Sequence, residues 1–119
     1  MTPHPLSRAL TLVAAMFVTV VPQQNAAALS MDQFVAICAS QPGECSDHPL
    51  LQAYVGGALD LIAMLDEETD YLQTVYCKPT STLFDVDTII RYMTRHAEEY
   101  AQKNAMLLLI RYLEEQGGC

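Results

Sequence analysis

The chain has 119 residues, with 14 acidic against 6 basic side chains and a net charge of −8 with histidine neutral. That balance excludes the basic face that nucleic acids and anionic membrane surfaces require, and it suits a basic protein partner. Solubility alone would also be served by such a charge.

Residues 1–28 read as a leader. A short polar start carrying Arg8 is followed by the uncharged apolar run 9–21 and then by small residues through Ala28. This three-part layout predicts a secretory signal peptide cleaved after Ala28. The alternative is a membrane anchor, but a spanning helix needs about 20 apolar residues and this run is shorter. Residues 29–119 then form one domain, near the low end of what a single core stabilises. Once the leader is removed, no membrane association is expected.

All four cysteines (Cys38, Cys45, Cys77 and Cys119) fall in that domain. An even count in a small exported chain predicts disulfides and an oxidising compartment, the periplasm in a Gram-negative cell.

No alternation long enough for a strand is present, so an all-α fold is expected. The first helix is predicted over 31–39. Ser30 and Gln33 have capping-box spacing, and Phe34, Ile37 and Cys38 share a face. The second spans about 49–73, after the start signal of Ser46, Asp47 and Pro49. Its apolar stripe is Leu51, Tyr54, Val55, Ala58, Ile62, Leu65 and Leu72. Residues 77–84 read as a surface loop. The third helix is predicted over 86–96, capped by Asp85, with Phe84 stapled on Ile89. Val86, Ile89, Ile90, Met93 and Ala97 line its inner face, and Arg91 and Arg95 lie outside. The fourth spans about 100–116 and ends at Gly117 and Gly118. Its MLLLI segment (106–110) is apolar all round, so this helix is either central or covered by a second subunit. Short connections suggest a small four-helix bundle stapled by two disulfides.

Geometry narrows the pairing. About 25 helical residues between Cys45 and Cys77 would span on the order of 37 Å, against a limit of roughly 7 Å between bridged Cα atoms. That excludes Cys45–Cys77. Cys38–Cys45 with Cys77–Cys119 is the expected pattern, and Cys38–Cys77 with Cys45–Cys119 is the alternative.

Gly56 and Gly57 interrupt the second helix, each at a cost of about 1 kcal/mol relative to alanine. Gly57 falls beside Ala53, Leu61 and Met64. The expectation is close packing of another helix there, within the chain. Packing across a dimer and contact with a partner are the alternatives. Gly56 lies nearer Asp60 and has no firm account.

No catalytic constellation emerges. After cleavage the histidines are His48 and His96, each at a helix end, where His96 suits the dipole. Neither a phosphate loop nor a serine elbow occurs. The acidic run Asp66, Glu67, Glu68 and Asp70 points in several directions, as a solvated face does. The spacing of Cys45 and His48 admits a metal site, but export favours the disulfide. The expectation is a non-enzyme with no cofactor and no metal.

Several short motifs, in order, resemble the Rap/Tai family of immunity proteins of bacterial type VI secretion. They are Tyr54-Val55-Gly56-Gly57-Ala58-Leu59-Asp60, Cys77-Lys78-Pro79, Ile90-Arg91-Tyr92-Met93 with His96-Ala97-Glu98, and Ala105 to Leu113 closing on Cys119. The likeness covers the whole domain. The sequence departs from the family pattern at Ala97, where the family often has proline, and at Cys45, nine positions before Tyr54. The resemblance implies a small helical periplasmic protein, commonly a homodimer. It would bind a peptidoglycan-degrading effector of amidase type and block its cleft. Effector-binding candidates are then the acidic Asp60, Glu67 and Asp70, the 78–84 loop, and the anchors Tyr71 and Leu83, with Phe84 more often a staple. The alternative is a periplasmic structural or chaperone-like helical protein without a toxin partner.

Overall fold

The computed structural model describes residues 28–118. Almost all of the expected leader (1–27), and Cys119, lie outside the described residues. Among those described, the chain is all α, with one isolated bridge between Ser30 and Asn104 and no ladder.

Helix α1 spans Met31–Ala39 and opens on the expected capping box. The Gln33 amide donates to Ser30 Oγ at 3.2 Å, and the Ser30 amide donates to Gln33 Oε1 at 2.9 Å. Two further amides of its first turn find partners far along the chain. Met31 donates to the Lys103 carbonyl at 3.0 Å and Asp32 to the Ala101 carbonyl at 2.9 Å. Donors that a helix start leaves unpaired thus pin α1 to a remote linker.

A 3-10 turn, Cys45–Asp47, leads into α2, Pro49–Glu68. His48 is the N-cap, its Nδ1 accepting from the Leu50 amide at 3.2 Å. The ring's Nε2 lies 3.3 Å from Ser40 Oγ, which itself donates to the Ile37 carbonyl. Nδ1 as acceptor and Nε2 as donor satisfies this whole chain of bonds. The expected end of α2 at residue 73 is corrected to Glu68. Asp66, Glu67 and Glu68 crowd its last turn with no basic residue to oppose the dipole. Thr69 then turns extended, and its hydroxyl and amide both donate to the Leu65 carbonyl.

Residues 80–83, expected in a loop, form the short helix α3, Thr80–Leu83. Helix α4, Val86–Arg95, follows with its inner face as read: Ile89, Ile90 and Met93 are buried, and Arg91 and Arg95 are exposed. Asp85 precedes it without capping a backbone amide; its carboxylate accepts from the Thr88 hydroxyl. The Phe84 ring meets Tyr76 edge-on at 5.6 Å. A second 3-10 turn, Ala97–Tyr100, separates α4 from α5, Ala105–Gly117. The fourth expected helix therefore begins five residues late, at the Asn104 N-cap, whose Oδ1 accepts from the Met106 amide at 2.9 Å.

Helix α5 packs on α4 and on α3. Leu108, Leu109 and Leu113 are buried against the inner faces of the other helices, and Met106 and Ile110 pack on the same core. Four of the five residues of the apolar run 106–110 are therefore packed on the core of one chain, Leu107 being the exception. Helix α4 packs on α2, on α5 and on the first 3-10 turn, and α3 packs on α5. The buried side of α2 is Leu51, Val55, Leu59 and Ile62; the sequence stripe missed Leu59 and wrongly included Leu65, which is exposed.

The Cys38–Cys45 disulfide is present, with Cα atoms 4.9 Å apart. It joins the end of α1 to the turn before α2. Cys45 is thereby withdrawn from any metal site. Cys77 is not a free thiol, and its expected partner Cys119 lies outside the described residues.

Candidate functional site

The far end of α2 and the segment after it carry the chain's most distinctive surface. Asp66 projects from the last turn of α2. The turns over 70–74 expose Asp70 and Tyr71, the latter 83% accessible. A cleft of about 530 Å³ opens between the end of α2 and the start of α3, lined by Asp66, Gln73, Tyr76, Cys77, Lys78, Pro79 and Thr80. A smaller recess of about 300 Å³ adjoins it, lined by residues 73–77 and Gly118. Both share Tyr76.

Tyr76 sits there because its backbone is clasped to the end of α5. Its own amide donates to the Leu72 carbonyl at 3.2 Å, and the next two amides, of Cys77 and Lys78, both donate to the Gly117 carbonyl at 2.8 and 3.1 Å. The clasp needs Gly117. A Cβ built there would lie 2.6 Å from Leu83 Cδ2 and 2.8 Å from Tyr76 Cβ. The ring of Tyr76 is therefore held against Phe84 and the α5 terminus. That hydroxyl is buried and is the one buried side-chain polar atom among the described residues with no hydrogen-bond partner. Burial first, and then the Asp66 carboxylate, raise the Tyr76 pKa. A buried hydroxyl left without a bond costs about 1–3 kcal/mol, and the Asp66 carboxylate is the acceptor at hand to relieve that cost. A neutral phenol beside a carboxylate can accept and donate, which suits an ammonium or guanidinium group.

The structure sorts the residues expected to bind an effector. Asp60, Glu67 and Asp70 are exposed on or just beyond α2, and Tyr71 is exposed beside them. Leu83 is corrected: it is only 4% exposed and packs over Gly117, because α3 turns its side chain inward. Gly57 is corrected as well. It is exposed, and a Cβ added at either Gly56 or Gly57 meets no atom within 4 Å, so no helix of the same chain approaches there. Sequence reasoning missed Asp66 and Tyr76 as a pair. Their only sequence signal is a tyrosine directly before a cysteine, which does not reveal that residues 76–78 are clasped to Gly117.

His48 and His96 are both engaged locally. His48 caps α2, and the His96 ring stacks on Tyr92 with centroids 4.4 Å apart. The Nε2 of His48 meets the Ser40 hydroxyl at 3.3 Å, and that hydroxyl donates to the Ile37 carbonyl.

Fold and site together define a small, all-α, acidic chain with an internal disulfide and a polar cleft at one end. Comparison with protein-family models, with curated proteins and with solved structures returns no match.

Proposed function

We propose that this chain is a periplasmic immunity protein, exported by its leader, that binds and inhibits a peptidoglycan-degrading effector of amidase type delivered by type VI secretion. Its fold would be the helical bundle described above, with Cys77–Cys119 as the second staple. The observation that carries the binding half of this reading is the polar cleft of about 530 Å³ lined by Asp66, Gln73 and Tyr76, beside the acidic rim that Glu67 and Asp70 expose at the end of α2. Such a rim would speed encounter with a basic surface, and one cationic side chain seated between Asp66 and Tyr76 would anchor it. The motif resemblance supplies the identity of the partner.

The test uses the oxidised chain and an amidase-type type VI secretion effector from the same organism. Equimolar chain should stop peptidoglycan digestion, and Asp66→Asn with Tyr76→Phe should weaken inhibition at least about tenfold, near 1.4 kcal/mol. Full digestion in the presence of excess chain would refute the immunity reading. It would favour the structural or chaperone-like alternative, to which the exposed apolar side of α2 is suited.

A further inference from the structure

Lysine and arginine are scarce in this chain, 6 against 14 acidic side chains, yet two arginines stand four residues apart on α4. Arg91 and Arg95 are both exposed. Neither guanidinium joins a hydrogen bond or an ion pair among the described residues, where the ion pair present is Arg111–Glu114. Acidic partners are close in sequence and go unused: Asp87 precedes Arg91 by four residues, and Glu99 follows Arg95 by four.

Both arginines line a cleft of about 370 Å³ between α4 and the 3-10 turn Cys45–Asp47, together with Thr94, Cys45, Ser46 and Glu44. Small-ligand clefts run from about 300 to 1,000 Å³. This one shares no lining residue with the cleft of Asp66 and Tyr76. Its walls are held in place. Helix α4 packs on the turn, and the Cys38–Cys45 bridge ties the turn to α1. The Ser46 carbonyl accepts from the Gln52 side chain at 2.8 Å. The buried Ser46 hydroxyl donates to Glu44 Oε2 at 3.4 Å, which keeps that carboxylate on the turn. The Thr94 hydroxyl donates back to the carbonyls of Ile90 and Arg91, at 3.1 and 3.0 Å. The charged groups left to a ligand are therefore two guanidinium groups on one wall and the Glu44 carboxylate on the other.

Charge chooses the ligand. A guanidinium group without a protein partner takes a carboxylate or phosphate through paired N–H donors. A plain anion such as phosphate would also meet the Glu44 charge across the cleft. Glu44 forms no ion pair with either arginine, so the positive and negative walls do not neutralise each other. A ligand with a carboxylate at one end and an ammonium at the other satisfies both. We propose that this cleft binds a short peptide with both termini free, its carboxylate on Arg91 and Arg95 and its ammonium on Glu44. The site does not rest on the immunity reading.

Chemical-shift titration of the isotope-labelled full chain, oxidised, with alanyl-alanine tests this. Saturable shifts are expected at the amides of residues 44–46 and 91–95. Acetylating the amine of the dipeptide, or amidating its carboxylate, should weaken binding at least about tenfold. Arg91→Gln with Arg95→Gln should weaken the free dipeptide as much, with the helical circular dichroism unchanged. Glu44→Gln should erase the preference for the free over the acetylated dipeptide, which a merely structural role for Glu44 would leave intact. Absence of saturable shifts at these amides would overturn the proposal. So would equal binding of the free and acetylated dipeptides, or inorganic phosphate binding more tightly than either, which would mark a simple anion site.

Discussion

Gly57 in α2 and Gly117 in α5 each sit inside a helix, and a methyl group added to each would meet opposite surroundings. At Gly57 it enters open space; at Gly117 it strikes Leu83 and Tyr76 below 3 Å. Yet the sequence draws attention to Gly57, placed mid-helix in an apolar stretch, and passes over Gly117 as a terminator. A glycine's cost to a helix is local, whereas its benefit depends on what the rest of the chain brings against it. Helix α5 recovers that cost within the monomer, through the Leu83 side chain and the two amides that donate to the Gly117 carbonyl. Helix α2 recovers nothing there within the monomer.

The sharpest way to break this contrast is to fill both positions. Gly117→Val should destabilise the fold by about 3 kcal/mol through overpacking, read by denaturant unfolding. Placing it in a Leu83→Ala background should give less than the sum of the two separate losses, since the residues touch. Additive losses would show that Gly117 is needed for some reason other than Leu83.

A middle-sized effect separates packing from polar attachment at the same end of α5. The Tyr92 hydroxyl donates to Glu115 Oε2 at 2.8 Å, two residues before the clasp. Burial first, then that bond, hold the Tyr92 pKa well above its ordinary value of 10.0. Because the folded value is the higher one, the contribution is full below about pH 10 and is lost as pH rises through the folded value. Tyr54, Tyr76 and Tyr112 are raised for the same leading reason, burial. Tyr92→Phe should cost about 1 kcal/mol at neutral pH and make the loss of stability above pH 10 shallower. An unchanged alkaline profile would sever Tyr92 from that loss.

The smallest effect has the opposite sign. In the dilute monomer, Gly57→Ala should raise stability by about 0.5–1 kcal/mol, because the added methyl meets nothing and the unfolded chain loses freedom. A destabilisation there would mean that something in the monomer does cover Gly57, and the contrast with Gly117 would fail.

Much of the fold was legible because its signals are local. The Ser30–Gln33 box and the face of Ile89, Ile90 and Met93 each lie within a few residues. The Cys38–Cys45 bridge was legible for a similar reason, since a short loop joins the two. The candidate site was only partly so. Asp60, Glu67, Asp70 and Tyr71 were identified as surface residues by type, but Leu83 is identical in type whether it faces water or Gly117. Asp66 and Tyr76 lie ten positions apart across a turn, so no helical or strand period links them.

By itself the sequence determined the identity of α1, α2, α4 and α5, the acidic surface and the short disulfide, because each follows from chain-local spacing and composition. Only the tertiary structure decided where α2 stops being core and becomes bare, and that α1 begins on carbonyls of the 101–103 linker. It also decided that the tightly packed glycine is Gly117. These depend on groups tens of residues apart meeting at van der Waals or hydrogen-bonding distance, and no local preference encodes such a meeting.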